Sequence, residues 1–413
     1  MSKRDDEYYD DDQYYEDDQY YEDDQYYEDD QYDEQDDEQY RRATKEKRKE
    51  IRKAGKNKVS KNAKWGIALI IELIIIVLLI FGLVRSYMHN KYNLLEIHEI
   101  KEEDLKVNEG LNKEVLKGYT NIALFGTDSR TGDLGAGGRS DAILVASINN
   151  DTKKVRLVSI YRDTILEIQD SEGTYTAKVN AAYAYGGPQL AIQTLNANLD
   201  LYITDYITIN WEGLTRAVDA IGGVQIHVEE DEVEMLNACL QEQIRETGIY
   251  SEGIFETGDL TLNGAQATAY SRIRSTGRGD ITRTERQREV ISAMIEKMKK
   301  SDLNTIDKTI DAIFPYISTS ITEDEMYDLA SSLLSYSLDE TVGFPIRFGY
   351  FSSDSKGSCI APQNLQENVT ALQRFLFGNN AYTSTQNLKR ISDELVSETG
   401  FGSEGTVKLP SEE

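Results

Sequence analysis

Residues 121–130 read NIALFGTDSR, a short apolar run that stops at a glycine and turns polar. Two further runs, 142–148 and 155–160, follow closely. Each is apolar, β-branched and bounded by Gly, Asn or Asp, which predicts buried strands. Helical periods come next. Pro188 suits a first turn, and Leu190, Ile192, Leu195 and Leu199 recur at near-helical spacing. Residues 212–221 predict a helix stopped by Gly222-Gly223, and 224–228 return to strand. Residues 285–300, 323–336 and 363–377 carry amphipathic helical patterns. Strands alternating with helices imply one α/β domain over 119–380, a central β-sheet flanked by helices. Beyond it, 381–413 read as a C-terminal helix and a loose tail.

The chain of 413 residues is uneven in charge. Residues 1–40 hold 20 Asp and Glu against Lys3 and Arg4, built on a hexad QYYEDD first seen at 13–18. Such a segment cannot bury enough apolar surface to offset its ordering entropy, so a disordered acidic tail is expected. Residues 41–64 reverse sign, with 12 Lys and Arg against Glu46 and Glu50. The overall −28, less the tail's −18 and this block's +10, leaves −20 for the remainder. An acidic remainder argues against a nucleic-acid surface, which needs clustered cations.

Residues 65–84, WGIALIIELIIIVLLIFGLV, are 15 parts in 20 Ile, Leu, Val or Phe. As helix they span about 30 Å, the thickness of a hydrocarbon core. Glu72 opposes insertion by roughly 3 kcal/mol, while the aliphatic side chains favour it by roughly 6. No Ala-x-Ala-like cleavage site follows the run, so an uncleaved anchor is expected. The basic block before it places residues 1–64 in the cytoplasm and everything from Arg85 onward, beginning with a stalk at 85–118, outside. Cys239 and Cys359 then lie on the oxidising side, where a disulfide between them is expected and two buried thiols are the alternative.

Chemistry concentrates at the ends of the predicted strands. Asp128 and Arg130 follow the first run, and Arg139 and Asp141 open the second. Two carboxylates at one sheet edge, flanked by Arg, suit a Mg²⁺ (or Mn²⁺) bridging phosphate oxygens. The same residues also read as a capped turn with surface ion pairs, and spacing alone favours that reading. Arg162-Asp163 ends the third run. Arg272, Arg274, Arg278, Asp280, Arg283, Arg286 and Arg288 fall within 17 positions. Guanidinium forks clustered in an acidic domain favour an anionic ligand, although later members also read as solvated charge. The three His are poorly placed for a nucleophilic triad, and His227 is expected to pack within its strand. There is no Gly-x-x-x-x-Gly-Lys loop.

Seven ordered segments resemble the motifs of the LytR-CpsA-Psr family. They are 121–130, 139–143, 159–163, 178–187 (KVNAAYAYGG), 219–224, 262–274 (LNGAQATAYSRIR) and 279–287 (GDITRTERQ). The resemblance implies an α/β domain whose apolar pocket holds a polyprenyl chain, with the pyrophosphate at its mouth. It implies Mg²⁺ on Asp128 and Asp141, and pyrophosphate gripped by Arg139, Arg162, Arg272, Arg274 and Arg283, with Arg130 and Lys178 beside them. Asp163 and Asp280 would orient an Arg or serve as base. The implied reaction transfers a glycosyl phosphate from the lipid carrier to an acceptor hydroxyl, typically on peptidoglycan. Where the family commonly has Pro before the Arg of the third motif, this chain has Tyr161. A lipid-pyrophosphate sensor, a pyrophosphatase and an envelope-linked transcriptional regulator remain alternatives.

Overall fold

The computed structural model describes residues 38–39, 41–47, 61–127, 134–274, 276–277 and 279–410. Most of the acidic tail and the middle of the basic block therefore lie outside the described residues, as do Asp128, Arg130 and Arg278. The chain divides into two compact units, Met1–Leu78 and Leu79–Glu413. In the first, 38–39 and 41–47 are helical, with Arg42 paired to Glu38 at 3.2 Å. A helix, α1 (Lys61–Tyr92), covers the apolar run. Among the described residues no helix is long and apolar enough to cross a membrane. Side chains at 61–71, 73, 74 and 81 are outside that description, and with them about half of the apolar run.

The second unit is built on strands β1 (Glu96–Ile97), β2 (Tyr119–Thr127), β3 (Ser140–Asn149), β4 (Lys154–Ile160), β5 (Ile165–Asp170), β6 (Gly173–Lys178), β7 (Asp205–Asn210), β8 (Val224–Val228), β9 (Gly258–Leu262), β10 (Ile317–Thr319), β11 (Ser337–Phe344), β12 (Phe348–Ser353) and β13 (Gly357–Pro362). The helices used below are α2 (Asn180–Leu199), α3 (Trp211–Ala220), α4 (Glu230–Thr247), α5 (Gly264–Tyr270), α6 (Asp280–Lys299), α7 (Leu303–Ile313), α8 (Glu323–Ser331), α9 (Leu365–Phe377) and α10 (Gln386–Thr399). A mixed seven-stranded sheet runs β1-β10-β7-β2-β3-β4-β11, while β5–β6, β8–β9 and β12–β13 form separate hairpins.

Alternation along the strands sends side chains to two faces. Ala123, Phe125, Ile143, Val145, Val158 and Ile160 join the main core with α2, α9 and α10. The residues between them face α3, α6 and α7. A second apolar cluster holds β8–β9 against α4, α5 and Val290 of α6.

Three expectations change. The stalk is part of the fold: Leu105 and Leu116 are buried in the main core, and β1 pairs with β10. The C-terminal tail is fixed as well, because Val407 and Leu409 are buried and Arg347 donates to the Gly405 and Thr406 carbonyls. Asp200, fully buried at the end of α2, ties these parts together by accepting from Asn108 (2.6 Å) and from the Thr385 amide and hydroxyl (2.9 and 2.7 Å). Finally, Cys239 and Cys359 are free thiols. Cys239 on α4 packs in the second cluster and Cys359 on β13 in the main core, so the expected bridge is not formed.

Candidate functional site

Thr127 ends β2 beside Asn210, which ends β7, and opposite Ser140, which begins β3. Arg162 follows Ile160 at the end of β4. One sheet edge thus collects residues from four strands, the position where ligands bind in open α/β sheets. Tyr161 stands where the family commonly has Pro, and its amide donates to the Phe344 carbonyl at 2.9 Å, a bond that Pro could not make. Its ring fits because residue 343 is glycine: a Cβ there would lie 2.1 Å from the Tyr161 hydroxyl.

Asp141 is the centre of the edge. Arg162 donates to its Oδ1, Arg274 Nη2 lies 3.2 Å from its Oδ2, and Arg283 Nη2 donates to its backbone carbonyl at 3.2 Å. Around this core, Arg162 Nε is 3.4 Å from Asp280 and 3.6 Å from Asp163, and Lys178 is 3.0 Å from Asp163. Among the described residues four cations face three carboxylates, a net positive balance, and Arg139 lies exposed one residue before β3.

Burial pushes the Asp141 carboxyl up, but Arg283, Arg162 and Arg274 together hold it below the usual carboxylate range. Burial works against the Arg162 charge, yet Asp141, Asp280 and Asp163 raise it above its ordinary value. Arg283 is 1% exposed, and that burial lowers it to about 10, still cationic at neutral pH.

The cluster is underbonded for its depth. Arg283 Nη2 lies 2.8 Å from Asp280 Oδ1, yet neither Asp280 oxygen has a well-directed hydrogen bond. Arg283 Nε and Nη1, Arg162 Nε, Thr127 Oγ1, Ser140 Oγ and Gln287 Nε2 are also buried without one. Native interiors leave few such groups, and each calls for an explanation.

Directly beside them lies an apolar cavity of about 490 Å³. Leu124, Ala142 and Leu144 of the sheet form its floor, and Ile291, Met294 and Met298 of α6 its roof. Ala142, next to Asp141, and Gln287, one helical turn from Arg283 and itself among the underbonded groups, belong to the lining, so the cavity adjoins the cluster. Residues 290, 291, 294, 295 and 298 give α6 an apolar face wider than one packing stripe. Apart from the family resemblance, which implied an apolar pocket, that breadth was its signal in the sequence.

Other expected residues are placed differently. Arg272 turns away from Asp141 and donates to Gln243 (2.8 Å) and Glu246 (2.7 Å) of α4, over the Trp211 ring. The chain turns at 271–272, so Arg272 and Arg274 diverge rather than share a face. Arg286 is committed to Glu232 and the Ile273 carbonyl. His227 is in a strand but exposed, 2.7 Å from Asp259, rather than packed. For a divalent ion, the described residues offer Asp141, already held by Arg, and no group of three or more His, Cys, Asp or Glu could hold a metal among them. A single carboxylate beside cations fits Mg²⁺ only if phosphate oxygens and a second carboxylate complete the shell.

An apolar cavity adjoining a cationic sheet edge defines a class of protein that can hold an amphiphile with an anionic head. The chain belongs to the LytR_cpsA_psr family, which it matches over residues 84–347. It is 33% identical over 287 residues to the polyisoprenyl-teichoic acid–peptidoglycan teichoic acid transferase TagU of Oceanobacillus iheyensis, covering 66% of this chain and 82% of that one. It is 36% identical over 214 residues to TagU of Halalkalibacterium halodurans, covering 51% and 64%. A crystallised Streptococcus agalactiae protein shares the fold with a TM-score of 0.55 at 23% identity, over 68% of this chain and 95% of that one.

Proposed function

We propose that this protein transfers a glycosyl-phosphate polymer from a polyprenyl-pyrophosphate carrier to a hydroxyl of peptidoglycan, from a membrane anchor formed by residues 65–84. The observation that carries this reading is the adjacency of the 490 Å³ apolar cavity, through Ala142 and Gln287, to the underbonded Arg162, Arg283 and Asp280. The cavity suits a hydrocarbon chain, and the unfilled donors suit phosphate oxygens. The relatives named as teichoic acid transferases supply the reaction class.

In the proposed reaction the acceptor oxygen forms a bond to the distal phosphorus, the bridging P–O bond breaks, and polyprenyl monophosphate leaves. Charge spreads over equatorial oxygens, so catalysis rests on positioning and electrostatics rather than a protein nucleophile. Arg162, Arg274 and Arg283 point into this position, and Arg139 stands at its rim. Asp163, held by Lys178, and Asp280 are the carboxylates able to take the acceptor proton or to orient an Arg. Asp141 and Asp128 would hold Mg²⁺, which would neutralise phosphate charge.

The test is incubation of the full chain in detergent with a short-chain polyprenyl-pyrophosphate saccharide, peptidoglycan and Mg²⁺. Saccharide linked to peptidoglycan through phosphate is expected. Release of free saccharide phosphate with no linked product would replace transfer by hydrolysis, and binding without turnover would leave a sensor.

A further inference from the structure

We propose that the cleft between hairpin β5–β6 and the first half of α2 is a saccharide subsite, seating a glycan next to the reacting phosphate. The proposal rests on the lipid-pyrophosphate reading of the neighbouring site. The cleft holds about 800 Å³ and is lined by Tyr175, Tyr185, Asp170, Glu172, Gln189 and Gln193.

Two tyrosines of one motif part company here. Tyr183 is fully buried, its hydroxyl donating to the Leu134 carbonyl, whereas Tyr185 is 63% exposed. Its place is fixed by a break in α2 at Gly186 and Gly187, where the backbone leaves helical geometry. Gly187 has φ +64, and a Cβ there would meet the Ala136 amide at 3.4 Å, so the loop after β2 closes against this kink. A Cβ on Gly186 would strike Leu190 at 2.5 Å. The fold therefore holds an aromatic ring in water beside Tyr175 without using it for packing.

The lining selects the ligand. Among the described residues it contains no Lys or Arg, which argues against an anionic polymer, and Leu190 and Ala184 are the aliphatic side chains they supply, which argues against lipid. Aromatic faces with carboxylate and amide groups match a neutral polyhydroxyl ring, whose C–H face stacks while its hydroxyls bond. The position also fits. The Asn180 amide, at the start of α2, donates to the Arg162 carbonyl at 3.2 Å, and Tyr185 follows five helical residues, about 8 Å, further on. Because α2 packs on the sheet face opposite the apolar cavity, lipid and glycan would leave the phosphate in opposite directions.

The experiment is calorimetric titration of the full chain in detergent with three probes. They are a short-chain polyprenyl pyrophosphate, the same lipid carrying a disaccharide, and soluble uncrosslinked peptidoglycan chains. Tyr185→Ala should weaken the disaccharide lipid or the peptidoglycan about tenfold, about 1.4 kcal/mol, and leave the bare lipid unchanged. Loss confined to the disaccharide lipid assigns the cleft to the donor sugar, and loss confined to peptidoglycan assigns it to the acceptor. Tyr185→Phe keeps the stacking face and should retain affinity. Unchanged binding of both glycans by Tyr185→Ala overturns the proposal, and so does an equal loss for the bare lipid. A wild-type chain that ignores the bare lipid defeats the lipid-pyrophosphate reading instead, and the cleft is then judged by peptidoglycan alone.

Discussion

Arg283 and Arg286 sit one turn apart on α6, are 1% and 4% exposed, and have opposite fates. Arg286 uses its fork fully: Nε donates to Glu232 at 2.8 Å, Nη2 lies 2.6 Å from the same carboxylate, and Nη1 donates to the Ile273 carbonyl at 3.1 Å. Arg283 leaves Nε and Nη1 without hydrogen bonds among carboxylates already shared with Arg162. A saturated buried pair joins elements, and Arg286 joins α6 to α4. An unsaturated one keeps its capacity for something else, here the sheet edge and its cavity.

The largest effect should come from breaking the saturated pair. Arg286→Ala leaves Glu232 buried without its partner and should cost about 3 to 5 kcal/mol of stability, read by chemical denaturation. Arg286→Met with Glu232→Leu should recover most of that. Should Arg286→Ala be harmless, the contrast disappears.

Arg283→Ala should cost less stability than Arg286→Ala and more function. Losing charge-assisted hydrogen bonds worth about 1.5 to 3 kcal/mol predicts affinity for a short-chain polyprenyl pyrophosphate weaker by about 10- to 150-fold. Arg283→Lys should rescue only part, since a point charge lacks the fork. A stability loss equal to that of Arg286→Ala would make Arg283 structural.

The contrast extends to pH. The folded Asp141 value lies below its ordinary 3.8, so in acid the unfolded chain binds the proton first and stability rises with pH. Its contribution is present above about 4 and lost as pH falls through the folded value. Urea unfolding between pH 5 and 3 should show a shallower acid loss in Asp141→Asn than in wild type, and equal slopes would remove Asp141 from the charge balance.

The smallest effect is expected at Arg272, whose partners are on α4. Arg272→Ala should weaken lipid-pyrophosphate binding less than Arg283→Ala does, and an equal loss would show that Arg272 swings to the ligand.

Local chemistry made the main elements legible. The strands near 122, 142 and 155, the helices near 212 and 365, and the stop at Gly222-Gly223 follow from alternation, periodicity and backbone permissiveness, which act over a few residues. The strand ends also marked where Asp141 and Arg162 would stand. Sequence could not pair the arginines, because Arg272, Arg274, Arg283 and Arg286 are chemically alike and their partners lie up to 142 positions away. It missed the burial of Val407 and Leu409 and the Asp200 network for the same reason. The resemblance implied an apolar pocket, but its lining could not be assigned, because the residues around it are ordinary core formers and only the gap between sheet and α6 makes them a lining. What the sequence determined was the identity of the groups and the elements that carry them. Tertiary packing decided which buried charges are satisfied and which are left to act.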